Sequence, residues 1–586
     1  MIKIWNIFNH KEKRSVLILL STLLIVSALE LFGLVLVIPY VNLMIDDSKI
    51  TSYINKYPYF TWLLEGNYQL KITICFGVFY IIKNGLLAVF TFIQQTILKK
   101  LKANIMCRMF HYFMHQPYEY HVNTKSSDLV RAVTYDANIF TVYILQQGAV
   151  LVSELLLFSG VLVALVLVNP TALLIFIAVI IPVILIYVII KRRLFLWGKI
   201  LQSKESEVIK QMQDGVGGIK DTIVLSSEEY FESNFQKNVD LQARIKRNSD
   251  VASLMPRYAI ETLMMVSMGL GLFWLSQLGS LESHLASIAF LAVVSVRILP
   301  MSNRIFTSIS NMRSATASLD IVEETGKPIS VKQQNAQFGS VGKFEKIEIC
   351  HIEYGYENSE KIIDGVSFEL LRGDVVGLVG ESGAGKTTLV DIFLGLLPPK
   401  SGEILCDGKD IKENMMAWKK RIGYVQQSVY LMDTTIKENI AYGIPIEQIN
   451  QEQVEEVIKL AKLSDWVDGL PLKSMSLVGE RGVRVSGGQR QRIGIARALY
   501  RNPEILVLDE AASALDNNTE HKIMDDIYNL RGERTIFMIA HRLESIRRCD
   551  RILLLQKGKI VDSGTFEELM SQSEPFQKLA NAFGEN

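Results

Sequence analysis

Six long apolar stretches occupy the first 310 residues of the chain. They lie near 15–44, 71–98, 139–168, 171–192, 256–277 and 285–309. A helix needs about 20 mainly apolar residues to cross the hydrocarbon core of a bilayer, so each stretch is long enough for one crossing. The pattern predicts a six-helix α-helical transmembrane domain over residues 1–312.

The distribution of basic residues between these stretches predicts their orientation. The segment before the first stretch holds one acid, Glu12, and the bases Lys3, Lys11, Lys13 and Arg14. Lys and Arg concentrate on the cytoplasmic side of membrane proteins, so we expect the N-terminus there. Six crossings return the chain to the cytoplasm, which predicts a multi-pass protein of the inner (cytoplasmic) membrane. The basic loops after the second and fourth stretches are then cytoplasmic, and we expect their helices to continue beyond the bilayer.

The pattern changes in the second half of the chain. A polar segment, 313–340, is predicted to be a linker. From 341 to 586, short β-branched runs alternate with helical ones, which is typical of an α/β domain with a parallel sheet. This half should therefore be a soluble domain in the cytoplasm.

Composition narrows the function classes. Hydrophobic residues make up 49% of the chain and the mean hydropathy is +0.22, which agrees with a chain partly in a membrane. The formal net charge of +1 argues against a nucleic-acid partner, which would need a broad basic surface. The five cysteines are scattered, so neither a disulfide framework nor a metal site is indicated.

The stretch "GLVGESGAGKTTLV" follows an apolar strand and precedes an amphipathic run. This is the context of a G-x-x-x-x-G-K-[ST] loop, whose backbone N–H groups cradle phosphates while the lysine reaches the β- and γ-phosphates. It predicts an ATP site. The predicted contacts are Gly380, Glu381, Ser382, Gly383, Ala384, Gly385, Lys386, Thr387 and Thr388.

Two carboxylates end the apolar run "ILVLDE". Asp509 suits the coordination shell of a Mg²⁺ ion, together with the hydroxyl of Thr387. Glu510 suits a general base for the attacking water. The sequence therefore predicts ATP hydrolysis, with Mg²⁺ as cofactor.

A second glycine-rich helix start lies between these motifs, in "VSGGQRQRIGIARAL". It consists of Ser486, Gly487, Gly488 and Gln489. The N-terminus of a helix favours an anion, yet the first loop already cradles one triphosphate. We therefore expect this second cradle to serve a nucleotide bound to another copy of the domain.

The order of the glycine loop, "SGGQ", "LVLDEAASALD" and "AHR" resembles that of the ABC transporter ATPases over about 240 residues. The resemblance implies that Tyr356 stacks on adenine and that Gln427 lies near Mg²⁺ and the attacking water. It implies that His541 contacts the γ-phosphate. It also implies that Asp516 touches the opposite cassette, which is the nucleotide-binding domain of the other copy, and that Glu480 faces the membrane domain. Val485 and Gln426 replace a usual leucine and proline without removing a catalytic group.

One glycine loop, one "SGGQ" segment, which is the signature of this family, and six spans make half of an exporter-type transporter. Two copies, or one copy with a close relative, are then required, and we expect a homodimer. In this family the two long cytoplasmic loops correspond to coupling helices that transmit closure of the cassettes.

Four cations lie within the predicted spans: Lys83, Arg257, Arg297 and Arg304. An ionisable side chain at bilayer depth is costly unless it faces protein or water. Arg297 and Arg304 are seven residues apart, so they share one helix face. A phosphate or diphosphate head group would explain such a ring of charge. The alternatives are snorkelling of Arg257 or Arg304 and internal pairing with the spans' acids, Glu30, Glu154 and Glu261.

The membrane half resembles the PglK-type bacterial flippases of lipid-linked oligosaccharides, in "FGLVLVIPYVNLM", "MPRY" and "RILPMSNRIFTS". The resemblance implies that Arg257, Arg297 and Arg304 engage a pyrophosphate, with Lys83 in place of an arginine. It also implies an external helix near 51–68 that interacts with the polyprenyl tail, although an aromatic belt would explain that segment too. The expected function is ATP-driven flipping of a polyprenyl-pyrophosphate-linked oligosaccharide. Export of another lipid, a peptide or an amphipathic drug is the alternative, and an ATPase without transport is a third class.

Overall fold

The computed structural model describes residues 2–45, 67–168, 170–277, 285–327, 344–356, 361–479, 482–509, 517–540 and 543–584. The chain divides into two compact units. The first consists of Met1–Gln116 and Tyr120–Val331, and the second of Pro117–Glu119 and Lys332–Asn586.

Helices of 3 to 50 residues build the first unit. In chain order they are α1 (Ile2–Ile7), α2 (His10–Ile45), α3 (Tyr68–Met114), α4 (Tyr118–Asn123), α5 (Ser126–Arg131), α6 (Ala137–Ile139), α7 (Gln147–Val168), α8 (Pro170–Gly217), α9 (Ile219–Val224), α10 (Glu228–Gln277), α11 (Leu285–Ser314) and α12 (Thr316–Thr325). π-helical segments, Ala132–Asp136 and Phe140–Gln146, join α5 to α7.

Five of the predicted spans each lie within one helix, and the span 139–168 runs from α6 through the second π-helical segment into α7. Helices α3, α8 and α10 run well past the predicted membrane segments. Three described segments have the length and hydropathy of a membrane span: His10–Gly33, Gln69–Met114 and Ser126–Val163. The other three predicted spans contain many residues whose side chains the structure does not describe, so six crossings stay a prediction. The predicted external helix also lies largely outside the described residues.

Part of the predicted linker is helical. Helix α12 begins directly after α11, and its Val322 is fully buried against an apolar cluster that includes Ile7, Ile105 and Phe140. Sequence analysis did not predict this helix, because short polar residues are mixed with the apolar residues of its buried face. The chain therefore leaves the membrane helices through a packed helix before the undescribed residues 328–343.

A buried carboxylate fixes the position of α12. Ser318 Oγ donates to Asp136 Oδ1 at 2.6 Å, and Gln202 Nε2 of α8 donates to the same oxygen at 2.9 Å. Arg131 Nη1 lies 3.3 Å from the other oxygen, Oδ2.

The second unit is built on a six-stranded and a four-stranded sheet. Its strands are β1 (Lys346–Tyr354), β2 (Ile363–Leu371), β3 (Val375–Val379), β4 (Ser401–Cys406), β5 (Lys409–Asp410), β6 (Ile422–Val425), β7 (Ile505–Asp509), β8 (Thr535–Ile539), β9 (Arg551–Gln556) and β10 (Lys559–Gly564). Its helices are α13 (Lys386–Phe393), α14 (Met415–Arg421), α15 (Ile436–Ile440), α16 (Gln451–Leu460), α17 (Ser464–Asp468), α18 (Gly487–Tyr500), α19 (Asn517–Asn529), α20 (Leu543–Ile546), α21 (Phe566–Gln572) and α22 (Glu574–Gly584).

The larger sheet has the strand order β10-β9-β3-β8-β7-β6, and the smaller one β2-β1-β4-β5. Strands β6, β7, β8, β3 and β9 run parallel to their neighbours. All residues of β3, β7 and β8 are buried. One face of the sheet packs against helices that include α16 and α18, and the other packs against α13 and the smaller sheet, so these strands are continuous apolar runs. The parallel arrangement brings the carboxyl ends of β3, β6 and β7 to one edge of the sheet. Residues predicted to bind the nucleotide lie at this edge.

Candidate functional site

The glycine loop joins β3 to α13 through two glycines with positive φ. Gly383 and Gly385 have φ values of 81° and 102°, in a backbone region that residues other than glycine rarely adopt. Lys386 begins α13 and is buried, and its Nζ donates to the carbonyl oxygens of Gly380 at 2.7 Å and Glu381 at 2.9 Å. The lysine therefore spans the loop and holds its ammonium group at the centre.

The space around the glycines fits a phosphate cradle. A Cβ atom on Gly380 would lie 2.2 Å from the carbonyl oxygen of Leu555, and one on Gly385 2.9 Å from Ile363 Cδ1. A Cβ on Gly383 would meet nothing within 4 Å. The loop is thus packed against protein on one side and open on the other. That combination lets backbone N–H groups approach a phosphate.

The carboxyl end of β7 places a buried acid beside this loop's helix. Asp509 is 5% exposed, and Tyr424 Oη on the neighbouring strand β6 donates to its Oδ2 at 3.3 Å. Burial, and then the charge of Asp509, raises the pKa of Asp391 on α13 to about 6. Sequence analysis missed Tyr424 and Asp391, although both lie within five residues of a predicted site residue. An oxygen donor such as Asp509, with the exposed Thr387 hydroxyl, suits Mg²⁺.

The other residues predicted to contact ATP or Mg²⁺ lie on separate elements of the second unit. Gln427 follows β6 and is exposed, and Thr388 lies in the first turn of α13. Tyr356 follows β1, with its ring 5.4 Å from that of Tyr354 in an edge-to-face arrangement. Its stacking on adenine stays a prediction.

The signature segment caps its own helix. Ser486 Oγ accepts a hydrogen bond from Gln489 N at 3.2 Å, and Ser486 N donates to Gln489 Oε1 at 2.9 Å. This reciprocal capping box starts α18 with Gly487 and Gly488 in its first turn. Ser486 and Gly487 are exposed, so the helix start is open to an anion. The predicted residues Glu480, Glu510, Asp516 and His541 lie outside the described residues.

Among the membrane cations, Lys83 is buried within α3. It is 8% exposed, and its Nζ lies 4.5 Å from the ring centroid of Tyr80. Tyr80 Oη donates to the carbonyl oxygen of Gly33 at 2.9 Å, and a Cβ on Gly33 would lie only 3.2 Å from Lys83 Cδ. Glycine at position 33 therefore leaves room for the lysine between α2 and α3.

Arg304 pairs with an acid of the neighbouring helix. Its Nε lies 2.5 Å from Glu154 Oε1 on α7. The Glu154 side chain is 8% exposed and that of Arg304 is 46% exposed. The structure therefore shows internal pairing at Arg304, which is one of the alternatives that sequence analysis left open. Arg257 is exposed on α10, and the side chain of Arg297 lies outside the described part.

Comparison with known proteins assigns this architecture to a family. Residues 16–307 match the model of the ABC transporter transmembrane region, and residues 363–513 match the ABC transporter model. A solved bacterial Atm1-family ABC exporter with ATP bound superimposes with a TM-score of 0.79 at 20% identity, covering 98% of this chain and 99% of that one. That likeness bears on the fold and confirms the predicted fold class.

Two of the curated relatives that match along most of their length are ATP-dependent lipid A-core flippases. The one from Burkholderia pseudomallei is 30% identical over 515 residues, 83% of this chain and 82% of the relative. The one from Chromohalobacter salexigens is 28% identical over 493 residues, 83% and 84% respectively. A putative multidrug export protein, YgaD of Bacillus subtilis, is 36% identical over 302 residues, half of each chain. The chain therefore belongs to the ABC transporter family, as a membrane-embedded, ATP-driven exporter.

Proposed function

We propose that this exporter is a homodimeric flippase that moves a polyprenyl-pyrophosphate-linked oligosaccharide across the cytoplasmic membrane. The glycine loop and Asp509 would hold ATP and Mg²⁺, which supplies charge stabilisation to the transferring phosphate when bound. Gln427, Glu510 and His541 would act on the attacking water and the γ-phosphate. The signature of each copy would complete the nucleotide site of the other.

The observation that carries the substrate proposal is the burial of Lys83. A lysine held among helices at membrane depth is costly, and such residues most often mark a substrate path. Here a ring and a glycine accommodate it. Together with Arg257, Arg297 and Arg304 it gives each protomer four cations in predicted spans, which suits a diphosphate head group better than an amphipathic drug.

Flipping by charge-deleted variants tests this proposal. Lys83→Met and Arg297→Ala should reduce flipping of lipid-linked oligosaccharide in proteoliposomes by at least tenfold, with basal ATPase near normal, because the nucleotide site is untouched. Arg297→Lys should be partly tolerated, since charge persists without the bidentate fork. Lys100→Ala removes an exposed charge beyond the predicted span on the same helix and serves as control. Wild-type flipping by both charge-deleted variants would refute the substrate assignment.

Export of lipid A-core is the second candidate, and the names of the matched relatives favour it. Parallel proteoliposomes with each lipid separate the two. If lipid A-core is flipped and the polyprenyl-linked oligosaccharide is not, the first substrate assignment is wrong while the flippase class stands.

The in-trans nucleotide site has its own test. One Ser486→Arg protomer cross-linked to one wild-type protomer should lose at least half of the ATPase rate, since the signature serves the opposite loop. A full wild-type rate in such mixed dimers would contradict the proposed arrangement.

A further inference from the structure

The Glu154–Arg304 pair is asymmetric in exposure. The carboxylate is nearly buried between helices, while almost half of the guanidinium side chain is exposed. The Nε group of Arg304 lies 2.5 Å from Glu154 Oε1. Arginine carries five N–H donors in a planar fork, so the exposed part can still meet a second anion.

A second polar contact fixes the same helix pair. Ser308 Oγ on α11 donates to Gln147 Oε1 on α7 at 2.8 Å. Gln147 and Glu154 are about two helical turns apart, and Arg304 and Ser308 about one turn. The two contacts therefore lie along one interface between α7 and α11, and the second contact can hold the helices when the first is altered.

We propose that Glu154 acts as an internal anion that lowers the affinity of Arg304 for an anionic lipid head group, so that the head group can be released. This inference rests on the proposed function, in which an anionic lipid is carried. A carboxylate in hydrogen-bond contact neutralises much of the field of the guanidinium, and that field is strong where water is scarce. A head group that reaches Arg304 therefore meets a weakened cation.

The physical need for such an acid follows from transport itself. A site that binds its cargo too tightly empties slowly, so the release rate limits turnover. Glu154 is mostly buried and held within the helix interface, so it stays beside Arg304 while the head group comes and goes. It is thus a residue that sets affinity through Arg304 and need not touch the lipid.

Glu154→Gln tests the inference, because the amide oxygen can still accept from Nε while the charge is gone. In nanodiscs of zwitterionic lipid, we expect the polyprenyl diphosphate concentration that gives half-maximal ATPase stimulation to fall at least threefold. Flipping at saturating lipid should fall at least twofold. In an Arg304→Ala background the same change should have no effect on either value.

Ser308→Ala is the matched control, since it loosens the same interface without changing charge, and it should move neither value. Unchanged half-maximal concentration in Glu154→Gln would overturn the proposal. Loss of stimulation accompanied by a lower melting temperature would also overturn it, because that result indicates a purely structural ion pair.

A second readout separates this proposal from the substrate assignment. Modification of Arg304 by phenylglyoxal, followed by peptide mass spectrometry, requires no substrate. The reagent adds to the guanidinium nitrogens, and a charge-assisted bond to a carboxylate holds the guanidinium more firmly than a bond to a neutral amide. Glu154→Gln should therefore react at least threefold faster. If wild-type protein fails to respond to polyprenyl diphosphate, the substrate assignment fails, and the stimulation assay is then read with lipid A. An unchanged phenylglyoxal rate would refute the role of Glu154 whatever the substrate.

Discussion

Tyr424 donates a hydrogen bond from its hydroxyl to Asp509 across the boundary between strands β6 and β7, at 3.3 Å. The two strands pair in parallel, with Tyr424 opposite Val507. One carboxylate oxygen of Asp509, at the end of β7, is therefore already held by a hydrogen bond. Burial and the neighbouring charge of Asp509 raise the pKa of Tyr424, so the phenol stays a donor.

Removing that hydroxyl should weaken metal binding. Hydrogen bonds to charged groups contribute about 1.5–3 kcal/mol, and this one is long. In Tyr424→Phe we expect the Mg²⁺ concentration for half-maximal ATPase to rise about three- to tenfold, with ATP binding in EDTA unchanged. The exposed Tyr430→Phe in the same unit is the control. An unaltered Mg²⁺ requirement would show that Tyr424 does not orient Asp509.

Asp391 should make stability depend on pH. Its pKa in the folded protein is about 6, against about 3.9 in an unfolded chain. The folded state therefore binds this proton more tightly, and the charged form costs stability that is fully felt above about pH 6 and vanishes as pH falls below about 4.

Asp391→Asn should accordingly melt about 2 °C or more above wild type at pH 7.5, a modest figure because the group is partly exposed and screened by solvent. The difference should shrink at pH 5. Differential scanning calorimetry of the nucleotide-free protein measures it, with the exposed Asp465→Asn for comparison. A difference that grows on acidification would have the wrong sign.

Lys386 should be required for binding and not only for turnover. Lys386→Ala removes the ammonium that now meets two loop carbonyls and is proposed to meet phosphates. A charged hydrogen bond of the size given above corresponds to about a 10- to 100-fold loss of ATP affinity, measurable by calorimetric titration. Wild-type affinity would contradict the assignment of the loop.

Glu510 should be required for chemistry alone. Glu510→Gln removes the proposed general base, whose contribution is typically about 10²- to 10⁴-fold. We expect ATP binding to persist while single-turnover hydrolysis slows by that factor. Near-normal hydrolysis would mean that another group activates the water.

The Ser318–Asp136 bond should stabilise the first unit. Ser318→Ala leaves a buried carboxylate with one donor fewer, which costs about 1–3 kcal/mol. The expected readout is faster hydrogen exchange in α12 by mass spectrometry. Thr316→Ala, whose hydroxyl bonds only locally to Arg313 O at 2.9 Å, should leave exchange in the rest of α12 near wild type.

The sequence by itself determined the order of the two halves and the nucleotide loop. Apolar stretches of span length and the spacing of Gly380, Gly385 and Lys386 are local signals, since bilayer thickness and phosphate geometry act on contiguous residues. The helix start at Ser486 was predictable for the same reason, because it depends on neighbouring residues.

Contacts between distant residues were decided by tertiary structure alone. Arg304 and Glu154 are 150 residues apart, and the sequence left open whether the arginine pairs internally or faces a substrate. The partners of Asp136 come from helices 66 and 182 residues away, so a segment that looked like a linker became a packed helix. Tyr424 meets Asp509 because β6 and β7 pair in parallel, and strand pairing is set by packing of the whole sheet and not by either strand's own residues.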